Sequence, residues 1–128
     1  MSACLFRPDE WEQIVESFPC ATLRDGSDGT VLVTLPDVPL PPGWSTKATA
    51  VHFVVPVGYP AAQPDCFWVD ADLRLANGTL PSNSGAQPVP VVNAAALWFS
   101  WHLSAWRPSK DRLITYARFI ARRFDDAR

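Results

Sequence analysis

Trp11, Ile14, Val15 and Phe18 repeat at i, i+3, i+4 and i+7, the spacing of one apolar helix face. Asp9 and Glu12 stand at capping-box spacing, so the pattern predicts a helix over about 9–18, with Glu10, Glu12 and Glu16 turned outward. The period then changes. "ATLRDGSDGTVLVTL" holds two short runs around a Gly/Asp-rich turn and predicts a hairpin. "ATAVHFVVP" at 48–56 and "DCFWV" at 65–69 predict a third and a fourth strand, the latter after the turn "GYPAAQP". "PDVPLPPGW", with four prolines in nine residues, predicts an extended surface connection that stays out of any sheet.

Regular signals vanish from Asp70 to about Ala95, where Pro81, Pro88 and Pro90 mix with Asn77-Gly78 and Asn83-Ser84-Gly85. Long irregular loops are uncommon in compact domains and are often functional. The chain then closes in a helix expected over 109–125. Leu113, Ala117, Ile120 and Phe124 form its apolar stripe, and Arg112, Arg118 and Arg122 lie elsewhere on its surface. Helix, about four antiparallel strands, long irregular segment, helix: that order predicts an α+β fold in one domain over 1–128, its sheet covered on one face.

Composition adds bounds. At 128 residues and 48% hydrophobic, the chain can bury a core without disulfides or metals. A net charge of -2 gives no reason to expect nucleic acid or an anionic membrane as partner. The charge is uneven, however: residues 106–128 carry +4 and the rest -6, so a basic last helix sits on an acidic body. Such a helix is a solvated face or a docking surface for an acidic partner. No signal peptide or membrane-length apolar run is present, and a cytoplasmic protein is expected. Cys4, Cys20 and Cys66 are scattered without a CxxC pair, which predicts reduced thiols, with no disulfide and no zinc site. Nothing in the chain calls for a cofactor.

"WFSWHLSAWRPSKD" (98–111) concentrates Trp98, Trp101, Trp106 and His102 just before the last helix. Together with Tyr59-Pro60, Pro64, the irregular 70–95 region and Trp106-Arg107-Pro108, it resembles the ubiquitin-conjugating (UBC) superfamily. That superfamily has a Tyr-Pro-x-x-x-Pro turn after its third strand, an active-site segment in the next long loop, and Trp-x-Pro before a helix. "PDCFWV", "WFSWH" and "WRPSKDRLITY" resemble its bacterial branch, prokaryotic family E. The resemblance covers nearly the whole chain. It implies a UBC-like fold and a transfer step in which an activated ubiquitin-like protein is held on a side chain and passed to a target. The implied partners are a ubiquitin-like protein, an ATP-dependent activating enzyme and a JAB-type peptidase of the same pathway.

The superfamily's nucleophile is a cysteine in the loop, and this loop has none. Cys66 lies just before it and reads as a buried, inert thiol. Counting the superfamily's spacing from Tyr59 lands on Ser84, whereas aligning its Asn-Gly-x-x-Cys pattern on Asn77-Gly78 lands on Pro81, with Ser82 next. A serine needs a base. His52 alternates within a strand and reads as structural, which leaves His102, matching a downstream histidine that the resemblance implies for family E. Asn77 or Asn83 would stabilise the oxyanion. One reading is therefore a serine oxyester on Ser84 or Ser82, with His102 as base. A second is a catalytically inactive UBC-like domain that binds a ubiquitin-like protein or scaffolds a complex. A third is an unrelated α+β binding domain whose aromatics only fill a core. The first helix departs from the family as well: ubiquitin-conjugating enzymes dock the activating enzyme on a basic first helix, and this one is acidic.

Overall fold

The computed structural model describes residues 5–128 and holds two helices and one antiparallel sheet. In chain order these are α1 (Pro8–Ser17), β1 (Thr22–Asp25), β2 (Val31–Pro39), β3 (Ala48–Val55), β4 (Cys66–Asp70), β5 (Ser84–Ala86), β6 (Ala96–Ser100) and α2 (Leu113–Phe124). The sheet has six strands in the order β1-β2-β3-β4-β6-β5, a meander extended by a returning hairpin. This is the expected α+β arrangement with a helix at each end.

Alternation fixes the register. Val33 pairs with Phe53, Phe53 with Phe67, and Phe67 with Phe99, so one row of fully buried side chains crosses four strands on a single face. Both helices cover that face. The expected stripe Leu113, Ala117, Ile120 and Phe124 is wholly buried against it. Phe67 and Phe99 stack at 4.7 Å and 6°, and Phe124 meets both edge-on. On the other face Thr34, His52, Trp68 and Trp98 form a second row, only partly buried. There the His52 imidazole bonds the Thr34 hydroxyl at 2.9 Å. Val89 and Ala96 cover part of this face beside Leu32.

Four expectations need correction. The 70–95 region is not irregular throughout, because it carries β5 and a bridge from Val89 to Ala94. The sequence "ALWFS" is a strand, which makes six strands where about four were expected. Its Leu97 and Phe99 face the helices while Ala96 and Trp98 face the second cluster, so both faces are apolar and no alternation survives. The proline-rich segment also reaches the sheet: β2 runs to Pro39, with a bulge between Leu35 and Val38 and Asp37 at φ 56. Prolines are tolerated there because β1 pairs β2 only as far as Thr34, which leaves Pro36–Pro39 an edge. Finally, α2 begins at Leu113, since 107–111 form a turn in which Arg107 N–H donates to Asp111 Oδ2 at 2.6 Å and Asp111 N–H donates back to the Arg107 carbonyl.

Helix α1 differs in its cap. The cap lies at Arg7, where Glu10 reaches back to the Arg7 N–H, two residues ahead of Asp9 and Glu12, with Pro8 opening the helix. Glu10 is consequently buried instead of facing outward. Its carboxylate accepts from Arg7 N–H at 3.3 Å, from Leu113 N–H at 3.2 Å and from the Tyr59 hydroxyl. Burial and this acid push the Tyr59 phenol above its usual range. Glu12 and Glu16 are exposed as expected.

Candidate active-site segment

The fold brings the two landmark motifs together. Trp106 Nε1 donates to the Pro60 carbonyl at 2.8 Å, and its ring lies 6.0 Å from that of Tyr59. Through Tyr59 and Glu10, the turn after β3, the start of α1 and the start of α2 become one joint.

The candidate active-site segment is a chain of turns. After β4, Ser45 and Arg74 exchange bonds at 2.8 and 2.9 Å, pinning the segment to the 41–45 loop. Asn77 then closes a local turn, its side-chain oxygen accepting from Thr79 N–H at 3.1 Å and Thr79 Oγ1 at 2.7 Å. Asn77 is thus exposed and committed to Thr79. At "PSNS" the Ser84 hydroxyl donates to the Pro81 carbonyl at 2.6 Å, and Asn83 takes the left-handed region at φ 63. Asn83 is exposed, and its carbonyl accepts from Ser100 N–H at 2.9 Å. Ser84 pairs with Phe99, so its side chain is half-buried and points to the helix side of the sheet. Ser82 is the exposed serine; its N–H donates to the Arg128 carbonyl at 2.9 Å and its carbonyl accepts from Arg123 at 3.0 Å.

His102 goes elsewhere. Its Nδ1 lies 3.3 Å from Asp65 Oδ1, and both side chains are largely exposed. Asp65 immediately precedes β4, whereas Ser84 begins β5, and β6 runs between those two strands. Two strand spacings, about 10 Å, therefore separate the serine's strand from the one next to the histidine's carboxylate. Among the described residues, no hydrogen bond joins His102 to Ser82, Ser84, Asn77 or Asn83. Neighbouring Leu103 is fixed by Gln63, which donates to its carbonyl at 2.6 Å and accepts from its N–H at 2.9 Å.

Cys66 is half-buried, not fully buried, and faces away from the helices into a hollow of about 290 Å³ lined by Val54, Gln63, Trp68 and Trp98. Burial pushes its thiol up, against a bond from the Trp98 indole that acts in the opposite direction. Such a thiol is a poor nucleophile near neutral pH. Cys20 is exposed, and Cys4 lies outside the described residues. Among the described residues, no cluster of His, Cys, Asp and Glu could hold a metal ion. No helix there is long and apolar enough to cross a membrane.

One residue at the segment escaped the sequence reading. Arg123 is 1% exposed. Its guanidinium donates to the carbonyls of Ser82 (3.0 Å), Asp126 (2.7 Å) and Arg128 (2.8 Å). It also lies over the rings of Phe99, Trp101 and Trp44, at 5.2, 5.5 and 5.7 Å. Burial lowers its pKa, and its Nε has no partner among the described residues. A signal existed: Arg123 falls three residues after Ile120 and seven after Tyr116, on the apolar face of α2. A charge at such a position marks a place where helix packing and polar recognition meet.

Comparison with protein families matched the model described as Prok-E2_E, Prokaryotic E2 family E, over residues 10–127. Comparisons with curated proteins and with solved structures found no match.

Proposed function

The chain belongs to prokaryotic E2 family E, and from that premise we propose that it serves a ubiquitin-like modification pathway as a UBC-fold binding partner. In this reading it holds a ubiquitin-like protein and meets the activating enzyme without forming a covalent bond to its cargo. One observation carries the reading: Ser84 turns its hydroxyl inward to Pro81, while His102 pairs with Asp65 beside another strand. Acyl transfer to a serine requires nucleophile and base within hydrogen-bond reach, with a donor aimed at the developing oxyanion. Here Asn77 holds Thr79, the Ser84 hydroxyl is taken by Pro81, and no hydrogen bond among the described residues joins His102 to either serine.

Incubation with ATP, the activating enzyme and the ubiquitin-like protein tests this directly. The expected result is a non-covalent complex on gel filtration and no adduct on a denaturing gel. An adduct that survives thiols and is cleaved by hydroxide would overturn it.

A second reading keeps covalent transfer and rests on Ser82, the exposed serine next to Pro81, where the family's Asn-Gly-x-x-Cys pattern lands. It requires His102 to leave Asp65 and a hydroxide-labile adduct to vanish in Ser82→Ala. Loss in Ser84→Ala instead would return the role to Ser84, and loss only in Cys66→Ala would point to the thiol.

A further inference from the structure

The sheet face turned away from the helices carries an open hollow of about 290 Å³ that the reading above leaves unused. Its walls are apolar, formed by Val54, Pro56, Trp68 and Trp98. Trp68 and Trp98 stand directly opposite one another on β4 and β6, so the two indoles are close neighbours on that face. Gln63, Asp65 and Cys66 complete the lining. Asp65 is largely exposed, and its Oδ1 lies 3.3 Å from the Nδ1 of His102.

What the hollow can recognise follows from which of its polar groups are free. The Gln63 amide is tied to Leu103, donating to the carbonyl at 2.6 Å and accepting from the N–H at 2.9 Å. The Trp98 indole N–H is taken by Cys66. Trp68 Nε1 is buried without a partner, so no ligand in an open hollow reaches it. Cys66 offers only a weak donor, held neutral by burial. That leaves the Asp65 carboxylate, an acceptor and the one ionised group of the lining. An anion would find no strong donor there and would meet a like charge. A neutral polar ligand would exchange water for walls that return few hydrogen bonds. A cation with an apolar body suits the lining on both counts. Its body covers apolar wall, and its charge meets a carboxylate beside two indoles, the side chains that attract cations best.

We propose that this hollow binds a compact organic cation, an ammonium or quaternary ammonium on an apolar body, whose charge pairs with Asp65 and whose body rests on Val54, Trp68 and Trp98. His102 is the group that the ligand displaces from Asp65. Free amines and the lysine side chains of proteins share this chemistry. The site is independent of the pathway reading, since it uses neither serine and no partner of that pathway.

Benzyltrimethylammonium, titrated into the full chain and followed by NMR, is the probe. Of the six tryptophans, Trp68 and Trp98 should shift, whereas Trp44 and Trp106, bonded to the Phe124 and Pro60 carbonyls, should not. Neutral neopentylbenzene and anionic phenylmethanesulfonate, of matching size, should bind about tenfold more weakly. Asp65→Asn, at an exposed position outside the core, should weaken the cation about fivefold. Saturating cation should also slow alkylation of Cys66 by iodoacetamide several-fold, with exposed Cys20 as the unaffected control. Equal binding of either analogue, an affinity unchanged in Asp65→Asn, shifts confined to other tryptophans, or an unprotected Cys66 would overturn the proposal. Competition by N-acetyl-lysine N-methylamide at similar concentration assigns the site to lysine side chains, and its failure beside a bound benzyltrimethylammonium assigns it to a free cation; both results support the site. No activating enzyme, ATP or ubiquitin-like protein enters this experiment, so its failure leaves the covalent-adduct test untouched.

Discussion

Helix α2 begins at a buried acid and ends at a buried base. At its start the Glu10 carboxylate accepts from Leu113 N–H, and at its end the Arg123 guanidinium donates to three main-chain oxygens. Both signs agree with the helix dipole, which favours an anion at the N-terminus and a cation at the C-terminus. Their partners differ. Glu10 is held by Arg7, Tyr59 and Leu113, each on or beside a regular element that packs on the core. Arg123 reaches Ser82 in a turn and Asp126 and Arg128 in an exposed tail. One end of the helix thus fixes the fold, and the other braces the candidate segment.

The largest effect should come from Glu10→Ala. It strands the Leu113 N–H and the Tyr59 hydroxyl in the interior, at about 1–3 kcal/mol for each unpaired group. Urea denaturation should therefore show a loss of about 3–5 kcal/mol, enough to threaten a domain of ordinary stability. A loss below about 1 kcal/mol would mean that the acid is not the joint between α1, the Tyr-Pro turn and α2.

Arg123→Met should cost less, about 2 kcal/mol, because replacing a buried charge by an apolar chain of similar length removes a desolvation penalty along with the bonds. Its clearer effect should be local. The Ser82 amide and residues 125–128 should lose exchange protection while core amides of β3 and β4 keep theirs. Uniform loss across the sheet would make Arg123 a core residue like Glu10 and erase the contrast between the two ends.

Tyr59→Phe comes next, with about 1–2 kcal/mol lost at neutral pH as Glu10 gives up one donor. The pH dependence has a definite sign. Burial raises the Tyr59 pKa, so the folded state keeps a proton that the unfolded state releases. This stability is fully present below the unfolded value of about 10 and is lost as pH rises above it. Tyr116 is raised by burial in the same direction and keeps its share in the variant. Stability of Tyr59→Phe should therefore fall less steeply above about pH 10 than that of the natural chain.

The contrast also explains what the sequence made legible. Periodicity exposed the stripe Leu113, Ala117, Ile120 and Phe124, and landmark spacing exposed Tyr59-Pro60 and Trp106-Arg107-Pro108. These are repeated or local signals. Strand β6 was hidden because both of its faces are covered, which turns alternation into a plain apolar run. Glu10 and Arg123 were hidden for another reason. A charged residue on a helix reads as solvated unless its partner is known, and those partners lie as far off as Tyr59 and Ser82. The same limit applied at the candidate site. Spacing brought Ser82 and Ser84 to the cysteine slot, but the direction of each hydroxyl is set by the register of β5 on β6.

The smallest effects should come from the two polar contacts nearest the candidate chemistry. Ser84→Ala removes one bond to the Pro81 carbonyl, and a loss of about 1 kcal/mol is expected, felt as a looser turn at Asn83. Asp65→Asn removes the partner of His102 on a surface where both side chains are mostly exposed, and should change stability by less than about 0.5 kcal/mol. Asp65→Asn discriminates best between the two functional readings despite costing least. If the chain is a binding partner, freeing His102 should leave affinity for the ubiquitin-like protein unchanged and still produce no adduct. If His102 serves Ser82 as a base, releasing it from its carboxylate should alter the rate of adduct formation by several-fold without altering binding, since orientation of a base acts on the chemical step. A shift in binding alone would instead make the His102–Asp65 pair part of the docking surface.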